Sequence, residues 1–293
     1  MPVFRSFLFA PGNHARRVEK ALTLGADAVI LDLEDAVANA EKVATRATVV
    51  EALRRPRHCK GYVRVNALST PWSHGDFVAV VAQGVDGIVL PKVECAADLQ
   101  TAEWLLAALE REHGLPEGRI DLIPIIETAA GYCNIAEIAK AAKRARRLSF
   151  GAGDFTLDLG LTWTPDETEL LPYRSTLVAQ SRAAGLEPPI DTVWVSLTDR
   201  EGFARSVQRA QHLGFQGKLC IHPDQVPVVN ECFSPGEKEL THARRVLDAF
   251  AQAERDGLAA IQVDGQFVDY PIVYRAQRLL DRADAITQAA RPQ

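Results

Sequence analysis

Short runs of apolar and β-branched residues recur along the chain at 6–9, 28–33, 61–65, 87–90, 121–126, 147–150, 191–195 and 218–221, separated by longer stretches of helical period. The runs are hydrophobic almost without interruption, which suits strands buried on both faces, and such strands belong to parallel sheets covered by helices. Eight strand-and-helix units predict an α/β fold, a (β/α)8 TIM barrel. An open doubly wound sheet is the competing architecture. Its Gly-x-Gly-x-x-Gly turn is missing after the first run, and Gly151-Ala152-Gly153 is only a fragment of it.

A different pattern follows His222. Ser234-Pro235-Gly236-Glu237 reads as a helix start, with Ser234 at the N-cap, Pro235 at the first helical position and Glu237 completing a capping box; Gly257 ends that helix. Residues 261–263 and 266–268 flank Asp264-Gly265, a two-residue hairpin signal, and a last helix is expected from about 271 to 289. Helix, hairpin and helix make too small a core to stand alone. The expected division is therefore a barrel domain, 1–233, and a C-terminal extension, 234–293, that packs on the barrel or on another subunit.

Composition changes this picture mainly by exclusion. With 293 residues, 47% hydrophobic and 24% charged, the chain has ordinary globular proportions, and a net charge of −5 argues against a nucleic-acid partner. The apolar stretch 7–10 is cut short by Arg5 and Pro11, so neither a signal peptide nor a membrane span is expected, and the reading is cytoplasmic. Five scattered cysteines without a Cys-x-x-Cys spacing fit reduced thiols.

Ionisable residues stand just past one run after another: Asp32, Glu34 and Asp35, then Arg64, Lys92, Glu127, Asp154 and His222. In a closed parallel barrel those strand ends share one face, so the set would line a single mouth. Glu127 and Asp154 lie beyond consecutive strands, where their oxygens can share one hard cation such as Mg2+; a helix cap or surface ion pair is the plainer reading of each alone. The planar fork of Arg64 suits a substrate carboxylate or a developing enolate, and it also suits simple pairing with Glu34 or Asp35. Those two acids sit at a strand-to-helix junction, where capping is equally ordinary. Lys92 is read as an ion-pair partner before a Schiff-base nucleophile, and His222 as a rim histidine or an acid-base group. Arg16 and Lys20 are four apart on a predicted helix, the spacing of a phosphate clamp and equally of a solvated face.

At these positions the chain resembles the citrate lyase β-subunit-like family of the HpcH/HpaI aldolase superfamily, related to malyl-CoA and citramalyl-CoA lyases. The resemblance is carried by Arg5-Ser6-Phe7-Leu8-Phe9-Ala10-Pro11-Gly12, Leu31-Asp32-Leu33-Glu34-Asp35-Ala36-Val37, Arg64-Val65-Asn66, Leu90-Pro91-Lys92, Ile125-Ile126-Glu127-Thr128, Gly151-Ala152-Gly153-Asp154-Phe155 and Ile221-His222-Pro223. It implies that Glu127 and Asp154 bind Mg2+, that Arg64 and Glu127 contact substrate, and that Phe9, Arg16 and Lys20 bind coenzyme A. Phe9 replaces a tyrosine of some relatives and so removes a hydroxyl. The segment Gly265-Gln266-Phe267-Val268-Asp269-Tyr270-Pro271 resembles that of lyases acting on free thioesters, in which the aspartate at Asp269 serves a neighbouring subunit. The implied activity is cleavage or formation of a 3-hydroxyacyl-CoA, giving a 2-oxoacid and acetyl-CoA, with Arg64, Asp269, Glu34 and Asp35 catalytic, in a homotrimer or hexamer. A thioesterase on the same scaffold, and a non-catalytic dicarboxylate-binding barrel within a complex, are the competing functions.

Overall fold

Strands that are apolar on both faces need cover inside and out, and the computed structural model, which describes residues 4–141 and 143–289, supplies both. Eight strands pair in chain order and close: β1 (Ser6–Pro11), β2 (Ala28–Asp32), β3 (Lys60–Arg64), β4 (Gly87–Leu90), β5 (Asp121–Ile126), β6 (Ser149–Phe150), β7 (Ile190–Asp191) and β8 (Gly217–Cys220). Every neighbouring pair, including β8 with β1, is parallel. This is the (β/α)8 barrel expected from the alternation of runs. Alternate residues Phe7, Ala28, Ile30, Tyr62, Val89, Ile123, Ile125, Ile190 and Leu219 form the interior cluster. Their neighbours Val29, Leu31, Val63, Ile88 and Leu122 are buried as well.

Two strands keep half or less of their apolar runs. Arg147 leaves the ladder because its guanidinium ties Asp121 to Glu187, and Ile190 donates its N–H to Leu148 at 2.9 Å. The run expected at 191–195 contributes only Asp191 to the sheet. Beyond it the Thr192 hydroxyl accepts from the Ala152 N–H, the Trp194 carbonyl accepts from Gln225, and Val195 is exposed, so the segment forms a loop.

A buried ionic network joins β7 and β8 to the helical layer. Asp191 accepts from Arg174 Nε at 2.8 Å and from Lys218 Nζ at 2.5 Å, while Glu167 accepts from Arg174 at 2.8 Å and Arg209 at 3.1 Å. Burial alone would raise both carboxyls, but the facing cations outweigh it and hold Asp191 and Glu167 below the ordinary carboxylate range. A depressed native pKa contributes stability above the unfolded value that is lost as pH falls through the native value. Thermal melts are therefore expected to drop progressively below about pH 4. Asp191→Asn, which leaves Arg174 and Lys218 short of an anion, should cost about 3–5 kcal/mol at neutral pH and flatten that acid limb. An acid limb unchanged in the variant would remove the network from this role.

Among the described residues, 231–289 form a second compact unit, distinct from the unit that begins at 4 and ends at 230. It contains the helix Glu237–Arg255, the antiparallel hairpin of β9 (Ala260–Val263) and β10 (Gln266–Asp269), and the helix Tyr270–Ala289. Asp264 and Gly265 carry φ of 50° and 80°, the pair of left-handed conformations that a two-residue hairpin turn requires. Val246, Phe250, Val268 and Ala276 form its core. The helix start differs from expectation. Gly236 is the N-cap and Glu239 accepts its N–H at 2.8 Å, so the box closes two residues later than Ser234 and Glu237 would place it. Ser234 instead donates its N–H to the Glu231 carbonyl. Among the described residues no two cysteines form a disulfide, and no helix is long and apolar enough to cross a membrane.

Candidate active site

Alternation along the strands carries Asp32, Arg64 and Glu127 to the inner face, two residues beyond Ile30, Tyr62 and Ile125. The parallel register places Asp32 opposite Arg64. Arg64 accordingly spans Asp32 with both prongs, Nε to Oδ1 and Nη2 to Oδ2, each at 2.7 Å. Asp32 also accepts the N–H groups of Glu34 and Ala36 at 2.9 and 3.0 Å, which folds the strand end back over itself. Burial would raise its pKa, but Arg64 and these donors hold it below the ordinary range. The remaining nitrogen of Arg64 lies 3.0 Å from Glu34 Oε2 and 3.5 Å from Asp35. Below the guanidinium lies Phe9, its ring centroid 4.9 Å away. The sequence pattern offers Glu34 or Asp35 as the arginine's ion-pair partner; the bidentate partner is Asp32. Its signal was available, since period-two counting from Ala28 and Ile30 turns Asp32 inward.

Glu127 and Asp154 stand on the same mouth, and neither caps a helix. Thr128 caps the helix Ala129–Cys133, accepting from Gly131 at 3.1 Å, and Gly151 precedes the helix Ala152–Leu159, on which Asp154 is the third residue. Lys92 links the two halves of the site. Its N–H donates to Glu127 Oε1 at 2.8 Å, and its ammonium donates to Glu34 at 2.7 Å and lies 3.7 Å from Asp154 and 4.0 Å from Asp35. Burial, reinforced by the negative charges of Glu34 and Asp154, pushes Glu127 up to about 8. Burial also outweighs Arg64 and Lys92 in raising Glu34. Lys92 itself is held above the usual lysine range by Glu34, whose hydrogen bond and charge overcome the desolvation.

The donors fit Mg2+. One oxygen of Glu127 is occupied by the Lys92 N–H, while the other faces the space that a side chain at Gly151 would fill, a Cβ there falling 2.3 Å from Oε2. Two carboxylates with substrate and water completing the set is the usual arrangement for this ion. Among the described residues no group of three or more His, Cys, Asp or Glu side chains is arranged to hold a metal.

Behind the mouth, a buried lysine absent from the sequence reading secures the acidic loop. Lys42 donates to the carbonyls of Leu33 and Glu34 and to Asn66 Oδ1 at 3.0, 2.6 and 2.8 Å. Asn66 in turn donates to Leu33 and to Asp76. No local pattern marks Lys42, which opens a polar helix, Lys42–Arg54. Within the barrel unit, Arg16, Lys20 and His222 make no hydrogen bond or ion pair with this cluster among the described residues. Arg16 and Lys20 are exposed on the helix Ala15–Ala21, beside a separate groove of 820 Å³ lined by Val18, Val43 and Ala47. His222 is half exposed, its Nδ1 accepting the N–H of Asp224 at 3.2 Å. Asp269 belongs to the second compact unit, where its carboxylate accepts the N–H of Ile272 at 3.5 Å at the start of the last helix.

Residues 5–223 match the HpcH/HpaI aldolase/citrate lyase family. The chain is 41% identical to citrate lyase subunit beta of Leuconostoc mesenteroides subsp. cremoris, over 96% of this chain and 93% of that protein. It is 37% identical to a (3S)-malyl-CoA thioesterase of Cereibacter sphaeroides, over 97% and 95%. Among solved structures, the CitE protein of Mycobacterium tuberculosis in complex with magnesium, acetoacetate and coenzyme A superposes with a TM-score of 0.78 at 33% identity, covering 96% of this chain and 98% of that one.

Proposed function

The chain belongs to the HpcH/HpaI aldolase/citrate lyase family and is a lyase, and from that premise we propose that it cleaves or forms a 3-hydroxyacyl-CoA of the malyl-CoA or citramalyl-CoA type. The products of cleavage are a 2-oxoacid and acetyl-CoA. The observation that carries this reading is the arginine fork pinned by Asp32 on the same mouth as the paired carboxylates Glu127 and Asp154. The magnesium, acetoacetate and coenzyme A named with the CitE neighbour support it.

Glu127 and Asp154 would hold Mg2+, which when bound would supply Lewis-acid polarisation of the substrate's oxygens. As the substrate's hydroxyl gives up its proton to solvent and its oxygen forms the ketone, the carbon–carbon bond gives its electron pair to the enolate, and Arg64 stabilises the negative charge that gathers on the thioester oxygen. Asp32 and Glu34, with Asp35 at longer range, keep the fork from rotating, so little reorganisation accompanies that charge. Asp269, supplied by a neighbouring subunit, returns a proton to the enolate carbon in cleavage and removes it in condensation. Phe9 packs under Arg64 near the thioester end, and Arg16 and Lys20 hold coenzyme A phosphates. The active form is then a homotrimer or a hexamer, with acyl-CoA and 2-oxoacid as its small-molecule partners.

Incubation with Mg2+ and a panel of malyl- and citramalyl-CoA thioesters tests the reaction. Oxoacid and acetyl-CoA are expected. Free coenzyme A with intact hydroxyacid would establish instead the hydrolysis named in the Cereibacter relative, and binding without turnover would establish a non-catalytic barrel.

Asp269→Asn is expected to lose at least about a hundredfold in turnover while substrate and Mg2+ still bind, because the proton and not the metal is affected. Asparagine preserves the helix cap at Ile272, so the fold should be unaffected. Mixed oligomers with Glu127→Gln chains should recover part of the activity. Verified mixed oligomers without recovery would exclude a shared site.

A further inference from the structure

Lys92 is one of only three non-glycine residues with a left-handed backbone among those described, at φ 52°. A lysine gains nothing intrinsic from that conformation, so the surroundings must enforce it. Counted from the inward Val89 by strand alternation, Lys92 would face away from the barrel interior. The left-handed turn breaks that alternation. It aims the Lys92 N–H at Glu127 and at the same time swings the ammonium over Glu34, Asp35 and Asp154. Around the mouth five carboxylates, Asp32, Glu34, Asp35, Glu127 and Asp154, meet two cations among the described residues, Arg64 and Lys92. Arg64 is saturated by Asp32 and directed to Glu34. Among the described residues, Lys92 makes hydrogen-bond or ion-pair contacts with both Glu34 on the arginine side and Glu127 and Asp154 on the other.

We propose that Lys92 is the built-in counter-ion of this mouth: its ammonium holds Glu34 and Asp154 together in the metal-free protein and competes with the divalent cation for the field of Asp154. The proposal rests on the reading of Glu127 and Asp154 as the Mg2+ ligands. The contact with Asp154 is long, 3.7 Å, and the side chain is about one-third exposed, whereas the contact with Glu34 is short. The ammonium can therefore yield Asp154 while keeping Glu34, so metal loading and the support of Arg64 through Glu34 run through one side chain. Lys92 is on this account a positioning residue and an electrostatic competitor; no covalent chemistry is assigned to it.

The test uses the whole protein and Mg2+ alone, followed by calorimetric titration and by thermal melts in chelator and in saturating Mg2+. Lys92→Met removes the charge and keeps the stem. Lys92→Gly removes the charge and accepts the left-handed backbone freely, so it also covers a failure of the methionine variant to fold. A unit charge this close to a divalent site changes affinity by roughly tenfold even with water-like screening. Both variants are therefore expected to bind Mg2+ at least about tenfold more tightly. Both should also melt several degrees lower than wild type in chelator, with the gap closing in saturating Mg2+. Lys92→Arg, which keeps the charge, should stay within about twofold of wild type in affinity. Unchanged or weaker Mg2+ binding in both neutral variants, or a melting deficit that Mg2+ does not close, overturns the proposal in favour of a structural lysine. If wild type and both neutral variants fail to bind Mg2+, the metal reading of Glu127 and Asp154 falls, and the counter-ion role is decided by the chelator melts, lower for both variants if it holds and unchanged if it does not.

Discussion

Glu127→Gln and Asp154→Asn are each expected to weaken Mg2+ binding by at least about tenfold and to cut Mg2+-dependent turnover by about a thousandfold or more, because each removes one of two anionic ligands with almost no change of shape. The fold should survive both. In Glu127→Gln the amide carbonyl oxygen can still accept the Lys92 N–H, and burial already penalises the charged form of Glu127, so an uncharged side chain places no new demand on the metal-free protein. Asp154 is about one-third exposed on the first turn of its helix and makes only a long contact with Lys92, so its replacement costs little packing. Circular dichroism and melts in chelator check the fold, and calorimetric Mg2+ titration checks the site. Wild-type Mg2+ affinity in both variants would remove these carboxylates from the metal site.

Arg64→Lys is expected to lower kcat by about a hundred- to a thousandfold with Mg2+ affinity close to wild type, the scale set by deleting a pre-aimed donor to a developing oxyanion. Lysine keeps the positive charge but not the fork. It cannot make the two 2.7 Å bonds to Asp32 and still point a third donor past Glu34. Asp32, nearly wholly buried, would lose part of its neutralisation, so a fall in thermal stability should accompany the loss of rate. Asp32→Asn supplies the control: it leaves Arg64 in place but loosens its hold, and it should retain more turnover than Arg64→Lys. A kcat within tenfold of wild type in Arg64→Lys would place the arginine in binding or folding and not at the reacting bond.

Much of this site was legible from the chain because its placement depends on local rules. Apolar runs of four to six residues, buried on both faces, have few homes other than a parallel barrel, and barrel closure then gathers every strand end on one face. Most of the ionisable residues after those runs, His222 excepted, thereby become neighbours without any knowledge of distances. Asp264-Gly265 specified its turn in the same local way, since few other pairs tolerate two left-handed residues in succession.

Tertiary structure decided which of these neighbours meet. Asp32 and not Glu34 takes the arginine fork because β2 and β3 pair in a register that sets Asp32 opposite Arg64, and register between parallel strands is a property of the closed sheet. Lys42 enters the site's support where the carbonyls of Leu33 and Glu34 lie past the end of β2, outside sheet pairing, and accept from its ammonium as well as from Asn66 and the Val37 N–H. Lys92 reaches both Glu127 and Glu34 through a backbone conformation that no lysine prefers and that only surrounding contacts can hold. The runs at 147–150 and 191–195 look like full strands by composition, yet the ladder claims two residues of one and a single residue of the other. There the ion pairs of Arg147 and the hydrogen bonds of Thr192 and Trp194 compete with strand pairing, and partners distant in sequence settle that competition.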